Sequence, residues 1–281
     1  MDRLYDAVAN FPLLIEAFLP LVVLSALAVA LELRIPWRRE DKADGLRWLQ
    51  AGVLLMIGVL ATRLILPIGA FAIGLYAEAA GIGLLNRIGL PVWAGFALGL
   101  LALDFGEYAR HALLHRFGAL WRLHRVHHSD EHLDASSALR FHPLEIMSEA
   151  AVQAGIILAL GIPAYAVLVF LSVSLVFNVW EHANIRTPRM VRRLEPVFIT
   201  PDLHRLHHSD LPRDRGVNFG AVLSVWDRAF GTLRRSDART AQVRFGLGPD
   251  NALRFDTLGA LLGDPLRAET SKPGASTEES F

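Results

Sequence analysis

Residues 150–180 read AAVQAGIILALGIPAYAVLVFLSVSLVFNVW, thirty-one consecutive positions without a charge. As one straight helix that run would extend about 46 Å, well beyond a hydrocarbon core of about 30 Å. It must tilt strongly or turn back, and Gly161-Ile162-Pro163 in its middle is a breaker signal. The run is therefore predicted to be a helical hairpin, one arm starting near Pro143, a favourable first-turn position, and the other ending near His182. Both arms then begin and end on one side of a membrane, which lets His142 and His182 approach one site.

Three further apolar runs accompany it: Phe11 to Leu31, interrupted by Glu16; Leu49 to Ala70, interrupted by Arg63; and Ile88 to Leu103. With 53% apolar residues in 281 and a mean hydropathy of +0.35, the chain has the composition of a membrane protein. The connection after the first run carries Arg34, Arg38, Arg39, Lys42 and Arg47, so the positive-inside rule makes it cytoplasmic. Two crossings later the chain is cytoplasmic again at His111, where Arg110, Arg116, Arg122 and Arg125 agree. Phe71 to Leu85, apolar with several glycines, reads as a short interfacial or re-entrant helix.

The N-terminus lacks the charge pattern and cleavage site of a signal peptide, so the first run is expected to be an anchor. Cysteine is absent, which excludes disulfides and thiolate clusters, and a net charge of zero gives no reason to expect nucleic acid binding. Arginine outnumbers lysine 26 to 2 and alanine is abundant, a bias of GC-rich bacterial genomes that points to a bacterial inner membrane. Residues 265–281, polar and rich in Ser, Thr and Glu, are expected to be a disordered tail. The chain thus divides into N-terminal anchor helices at 1–87, a catalytic domain at 88–235 that includes the hairpin 143–182, and a C-terminal extension at 236–281. The fold expected is all-α: a polytopic membrane bundle with a cytoplasmic helical cap.

All eleven histidines fall between His111 and His208. His124-Arg125-Val126-His127-His128-Ser129-Asp130 and His204-Arg205-Leu206-His207-His208-Ser209-Asp210 are nearly the same seven residues, and His111 and His115 form a third cluster. Spacings of three and four put each cluster on one helical face, so each can present two or three imidazoles to a common point. Eight imidazoles exceed what one ion takes while keeping a position open, so two metals are the economical reading. His182 is a ninth candidate, and Asn178, four residues earlier, is placed to hold a metal-bound water. His132 and His142 have no counterpart in the repeats and fit surface, core or supporting roles. A helical zinc-protease signature would need Glu where Arg125 and Arg205 stand, and haem would leave most histidines unexplained.

These motifs resemble the fatty acid hydroxylase and sterol desaturase superfamily of membrane di-iron oxidoreductases. The likeness runs from Asp104 to Leu233. Asp104 through His115 is similar to the first histidine box, His124 to His128 to the second, and Arg140-Phe141-His142-Pro143-Leu144-Glu145 to the element that follows it. Glu181-His182-Ala183-Asn184 resembles the single histidine before Asn, and Pro201 to His208 the last box. Asn218-Phe219-Gly220, Trp226-Asp227-Arg228 and Phe230-Gly231-Thr232 resemble the closing signature. Some relatives have a further histidine where Asn178 stands, so nine histidines plus a water are expected here.

The resemblance implies two iron ions, which zinc can replace in purified protein, O2 as co-substrate, a lipid substrate in the membrane, and electrons from a separate redox protein. It implies hydroxylation or desaturation of a fatty acyl, sterol, hopanoid or similar lipid. Among the carboxylates near these histidines, Asp104, Glu107, Asp130, Asp134, Glu181 and Asp210 are candidates to orient metal-bound imidazoles, or else to pair with arginines. Asp134 and Glu181, with Asn178, are the residues expected to assist catalysis. The competing class is a non-oxidative membrane zinc protein, either a hydrolase or a structural metal site.

Overall fold

The computed structural model describes residues 11–39, 45–211, 214, 216–248 and 255–267, with the side chains of 11–22, 238 and 241 left aside. The tail from 268 onward lies outside the described residues. Among those described, the chain is all-α; its only β features are isolated bridges such as Pro36 with Ile185.

The long helices are α1 (Phe11–Arg34) and α2 (Gly45–Ile65), then α3 (Ala70–Ala80) with the single turn α4 (Leu84–Arg87), and α5 (Val92–Arg116). A short α6 (Gly118–His128) follows, then the hairpin arms α7 (Pro143–Leu160) and α8 (Ala164–His182). Past the hairpin the described helices are short: α9 (Arg189–Arg192), α10 (Pro201–His207), α11 (Val225–Phe230) and α12 (Leu258–Gly263). Four stretches among the described residues are long and apolar enough to cross a membrane: Gly45–Arg87, Val92–Arg116, Pro143–Leu160 and Ala164–His182. The bundle is therefore a polytopic membrane one.

The hairpin forms where the uncharged run predicts it. Pro143 opens α7, with His142 as N-cap accepting from Leu144 N at 3.2 Å, and Gly161 closes it in the left-handed region at φ 69°. A side chain there would be strained, and its Cβ would also meet Ile82 O at 2.4 Å, so the break requires glycine. Residues 71–85 resolve into α3 and α4. At 11 residues α3 is about 16 Å long, half a hydrocarbon core, and it packs on both hairpin arms. Ile73, Leu103, Ala154, Ile157, Ile162, Val167 and Phe170 form the main core, where α3, α5, α7 and α8 meet.

The end of α1, the start of α2, the end of α5, the start of α7 and the end of α8 gather at one end of the bundle. Trp37 N donates to Asn184 O at 2.8 Å, and Arg47 of α2 pairs with Asp130 at 2.8 Å and with Asp134. The short helices α6 and α10 close over that end as a cap. The C-terminal piece is part of it: Phe255 and Leu261 bury Leu54 of α2 and Val126 of α6 in one cluster.

Candidate metal centre

All nine histidines singled out in the sequence converge under the cap, in two adjoining groups. His111, His115, His124, His128 and His207 form one, and His127, His182, His204 and His208 the other; within each, the potential ligand nitrogens lie within 4.8 Å of one another. The two seven-residue repeats contribute reciprocally. The first gives His124 and His128 to one group and His127 to the other; the second gives His204 and His208 to the latter and His207 to the former. This departs from the expectation that each repeat faces one point. Adjacent helical residues diverge by roughly 100°, so two neighbouring histidines aim at different centres. The groups touch, with the His128 and His208 rings stacked at 4.3 Å.

Backbone and carboxylate acceptors fix several rings. His111 Nδ1 donates to Phe219 O at 3.0 Å, His207 Nδ1 to Val217 O at 2.8 Å, His182 Nδ1 to Asn178 O at 2.7 Å, and His124 Nδ1 to Glu145 Oε1 at 2.7 Å. A neutral imidazole carries one N–H, so Nε2 of each of these rings is a bare lone pair. His111 Nε2 nevertheless sits 3.0 Å from His124 Nε2, and His182 Nε2 lies 3.1 and 3.0 Å from Nε2 of His127 and His204. The facing lone pairs of His111 and His124 repel unless a cation lies among them. His128 Nε2 and His207 Nε2 are buried without a hydrogen-bond partner, as a ligand atom would be. The donor set of all-imidazole nitrogen suits a first-row transition metal, so the residues present fit a pair of such ions.

Burial keeps these rings in ligand form. It holds the imidazoles of His124, His127, His128, His204 and His208 well below the ordinary histidine range, helped by the neighbouring rings, and pushes His207 down to about 3. All are neutral at pH 7.

The loop at Val217–Gly220, which supplies two of the carbonyls, is itself anchored. Asn218 takes φ 57°, a region asparagine tolerates, while its Nδ2 donates to Leu203 O and Arg234 O at 2.9 and 3.0 Å. Asp227 accepts from Phe219 N at 2.7 Å and Gly220 N at 2.9 Å. The arginine of each repeat is a buried clamp. Arg205 donates to Ala183 O, Ile185 O and Asp202 at 2.9, 2.6 and 2.6 Å, and Arg125 pairs with Asp264.

The other candidates divide. Glu181 is buried beside the second group, with Oε2 3.8 Å from His204 Nδ1. Asp134 instead caps the turn at Ala135–Leu139, accepting from Ser136 N at 2.8 Å, and pairs with Arg47. Asn178 donates through Nδ2 to Ala138 O at 2.9 Å while its own carbonyl holds His182, and its side chain lines the cavity described below. Asp104 accepts from Trp226 Nε1 at 2.7 Å, Glu107 pairs with Arg110, Asp130 with Arg47, and Asp210 with Arg244. His142 spends both ring nitrogens, on Leu144 N and on Leu262 O at 3.2 Å, and His132 lies exposed outside both groups. Among the described residues, a carboxylate hydrogen-bonded to a clustered histidine is that of Glu145. It lies inside the Arg140–Glu145 element, three residues past His142, but spacing alone does not tie it to His124.

A cavity of about 260 Å³ reaches His111, His124, His127, His182 and His204. Leu171 and Leu175 of α8 line one part of it, and Glu107, Arg110, Glu149 and Gln153 another. Those four are linked: Arg110 bonds Glu107 at 2.9 Å and Glu149 at 3.4 Å, and Gln153 donates to the same two carboxylates.

Comparison with known proteins adds three relatives. The chain is 33% identical to ornithine lipid hydroxylase OlsE of Rhizobium tropici over 142 residues, 50% of this chain and 42% of that protein. It is 33% identical to human alkylglycerol monooxygenase over 147 residues, 52% of this chain and 32% of that one, and 29% identical to rat cholesterol 25-hydroxylase over 138 residues, 48% and 45% respectively. The match thus spans less than half the length of these relatives. No solved structure matches. Residues 96–232, which hold both histidine groups and the loop that anchors them, match the family model for fatty acid hydroxylase, and with the named relatives this supports the fatty acid hydroxylase superfamily for that part of the chain.

Proposed function

We propose that this protein is a di-iron membrane oxidoreductase that uses O2 to oxidise a C–H bond of a lipid, with electrons from a separate redox protein. The observation that carries the reading is the pair of histidine groups, five and four imidazoles opening onto one cavity at the head of a membrane bundle. Of the two outcomes open to such chemistry, hydroxylation is favoured over desaturation, because the relatives are named as hydroxylases and monooxygenases. The substrate class is a membrane lipid.

Two irons bound among the nine histidines would supply the O2 activation and oxidising power that no side chain has. The chain's own residues do the rest. The carbonyls of Val217, Phe219 and Asn178 and the Glu145 carboxylate hold four rings in the tautomer that presents Nε2. The cap excludes bulk water from the centre. Leu171 and Leu175 offer an apolar wall to a lipid entering from the bilayer, while Asn178 and Glu181 stand where they can hold water or a proton beside His182 and His204. In the balanced hydroxylation, two electrons and two protons reduce one oxygen atom to water and the other enters the C–H bond.

Protein produced with ample iron is expected to hold about two metals per chain, and to consume O2 with a reductant while forming a hydroxylated lipid that carries oxygen from labelled O2. Turnover without O2, or a content of one metal at full activity, would overturn the proposal. Comparing the lipids of a deletion strain and its parent would name the substrate.

The histidine end is proposed to face the cytoplasm of a bacterial inner membrane. Because the chain has no cysteine, single cysteines near Arg38 and near Ser236 can be introduced cleanly, and both should react only with reagent on the cytoplasmic side. Labelling from opposite sides would refute the topology.

A further inference from the structure

A second lipid contact lies on the opposite face of α8. Val176, Phe177 and Trp180 turn away from the histidine cavity and, with Leu24, Leu27 and Leu31 of α1 and Leu194 beyond α9, form an apolar groove of about 490 Å³. Asn178 and Glu181, on the other side of α8, line the histidine cavity instead. The helix thus separates the two spaces, so this groove is not the route to the histidines.

Its border is basic. Arg186-Thr187-Pro188-Arg189-Met190-Val191-Arg192-Arg193-Leu194 holds four arginines and no acid. Arg186, Arg189 and Arg193 are exposed and make no ion pair among the described residues, and Arg34, also exposed, stands one turn beyond Leu31 on α1. The nearby acids are taken: Asp202 by Arg192 and Arg205, Glu195 by Arg235 and Ser236. Between the arginines, Met190 and Leu194 are 67% and 50% exposed. Alternating basic and apolar side chains at the end of a membrane helix match the interface between headgroups and acyl chains, and clustered arginines there attract anionic lipid.

We propose that this groove binds one anionic phospholipid, an acyl chain lying along Leu24, Leu27 and Phe177 and the phosphate meeting Arg34, Arg189 and Arg193. The apolar groove selects a lipid over free phosphate, and the unpaired arginines select an anionic headgroup over a zwitterionic one. The site is independent of the oxidation chemistry, and its lipid would tie α1 to α8.

The test is native mass spectrometry of the full chain with equal amounts of phosphatidylglycerol and phosphatidylcholine of identical acyl chains. The expected result is one retained lipid, with phosphatidylglycerol preferred about tenfold at low salt and less at high salt. The triple variant Arg34→Gln, Arg189→Gln, Arg193→Gln should bring the preference to near unity. Equal retention of the two lipids by the unaltered protein would overturn the proposal without any variant. So would an undiminished preference in the triple variant, or a dimer that buries the groove in place of the lipid.

Discussion

Alanine in place of any one of His111, His115, His124, His127, His128, His182, His204, His207 or His208 is expected to lower lipid oxidation by more than about 100-fold, beyond the range seen when only a supporting partner is lost. Each removes an imidazole from a group whose nitrogens converge within 4.8 Å and whose members are all histidines. The reciprocal arrangement sharpens the expectation. His124→Ala and His207→Ala thin the same group although they lie in different repeats, so both should release metal from that group first. His127→Ala and His204→Ala should release it from the other. His132→Ala and His142→Ala serve as controls: the first side chain is outside both groups, and the second caps α7 at the price of stability alone. Metal content and turnover of the eleven variants, measured side by side, check this. Wild-type turnover in any of the nine would remove that residue from the centre.

The hairpin was legible because its signal is one of length: thirty-one uncharged residues with Gly161 and Pro163 inside admit few arrangements in a bilayer. The nine histidines were legible because repetition is rare by chance. Their division into two groups was not, since spacing gives faces of a helix and not where α6 and α10 stand relative to one another. The carboxylates were least legible. Asp130 and Asp134 follow His128 closely, yet they sit in a loop that Arg47 reaches from α2, eighty-odd residues earlier in the chain. Sequence proximity to a ligand carries little information where the chain turns, whereas Glu145 enters from the first turn of a separate helix and meets His124 directly. The role of the repeat arginines was hidden for a related reason, as Arg125 and Arg205 clamp Asp264 and the 183–185 loop, both distant in sequence.

Glu145→Leu is expected to cost about 10- to 100-fold in metal affinity or turnover, the range for partners that orient a metal-bound histidine. Glu145 is fully buried, and its Oε1 accepts a hydrogen bond from His124 Nδ1 at 2.7 Å. Leucine keeps the volume and removes the acceptor, so His124 is free to rotate or to move its proton to Nε2, where it would block a ligand position. Arg110, whose Nη1 lies 3.6 Å from Glu145, keeps Glu107 and Glu149 as partners in the variant, which limits the damage to the fold. Glu145→Gln retains a carbonyl oxygen at the same reach and should recover much of the loss, a rescue that a purely space-filling role would not distinguish from leucine. The measurement is the rate at which a chelator strips metal from each variant, read beside turnover. Faster stripping in the leucine variant, with the glutamine variant between it and wild type, is the expected order. A leucine variant that holds its metal as firmly as wild type would show that the Glu145–His124 contact does not hold the ring for metal.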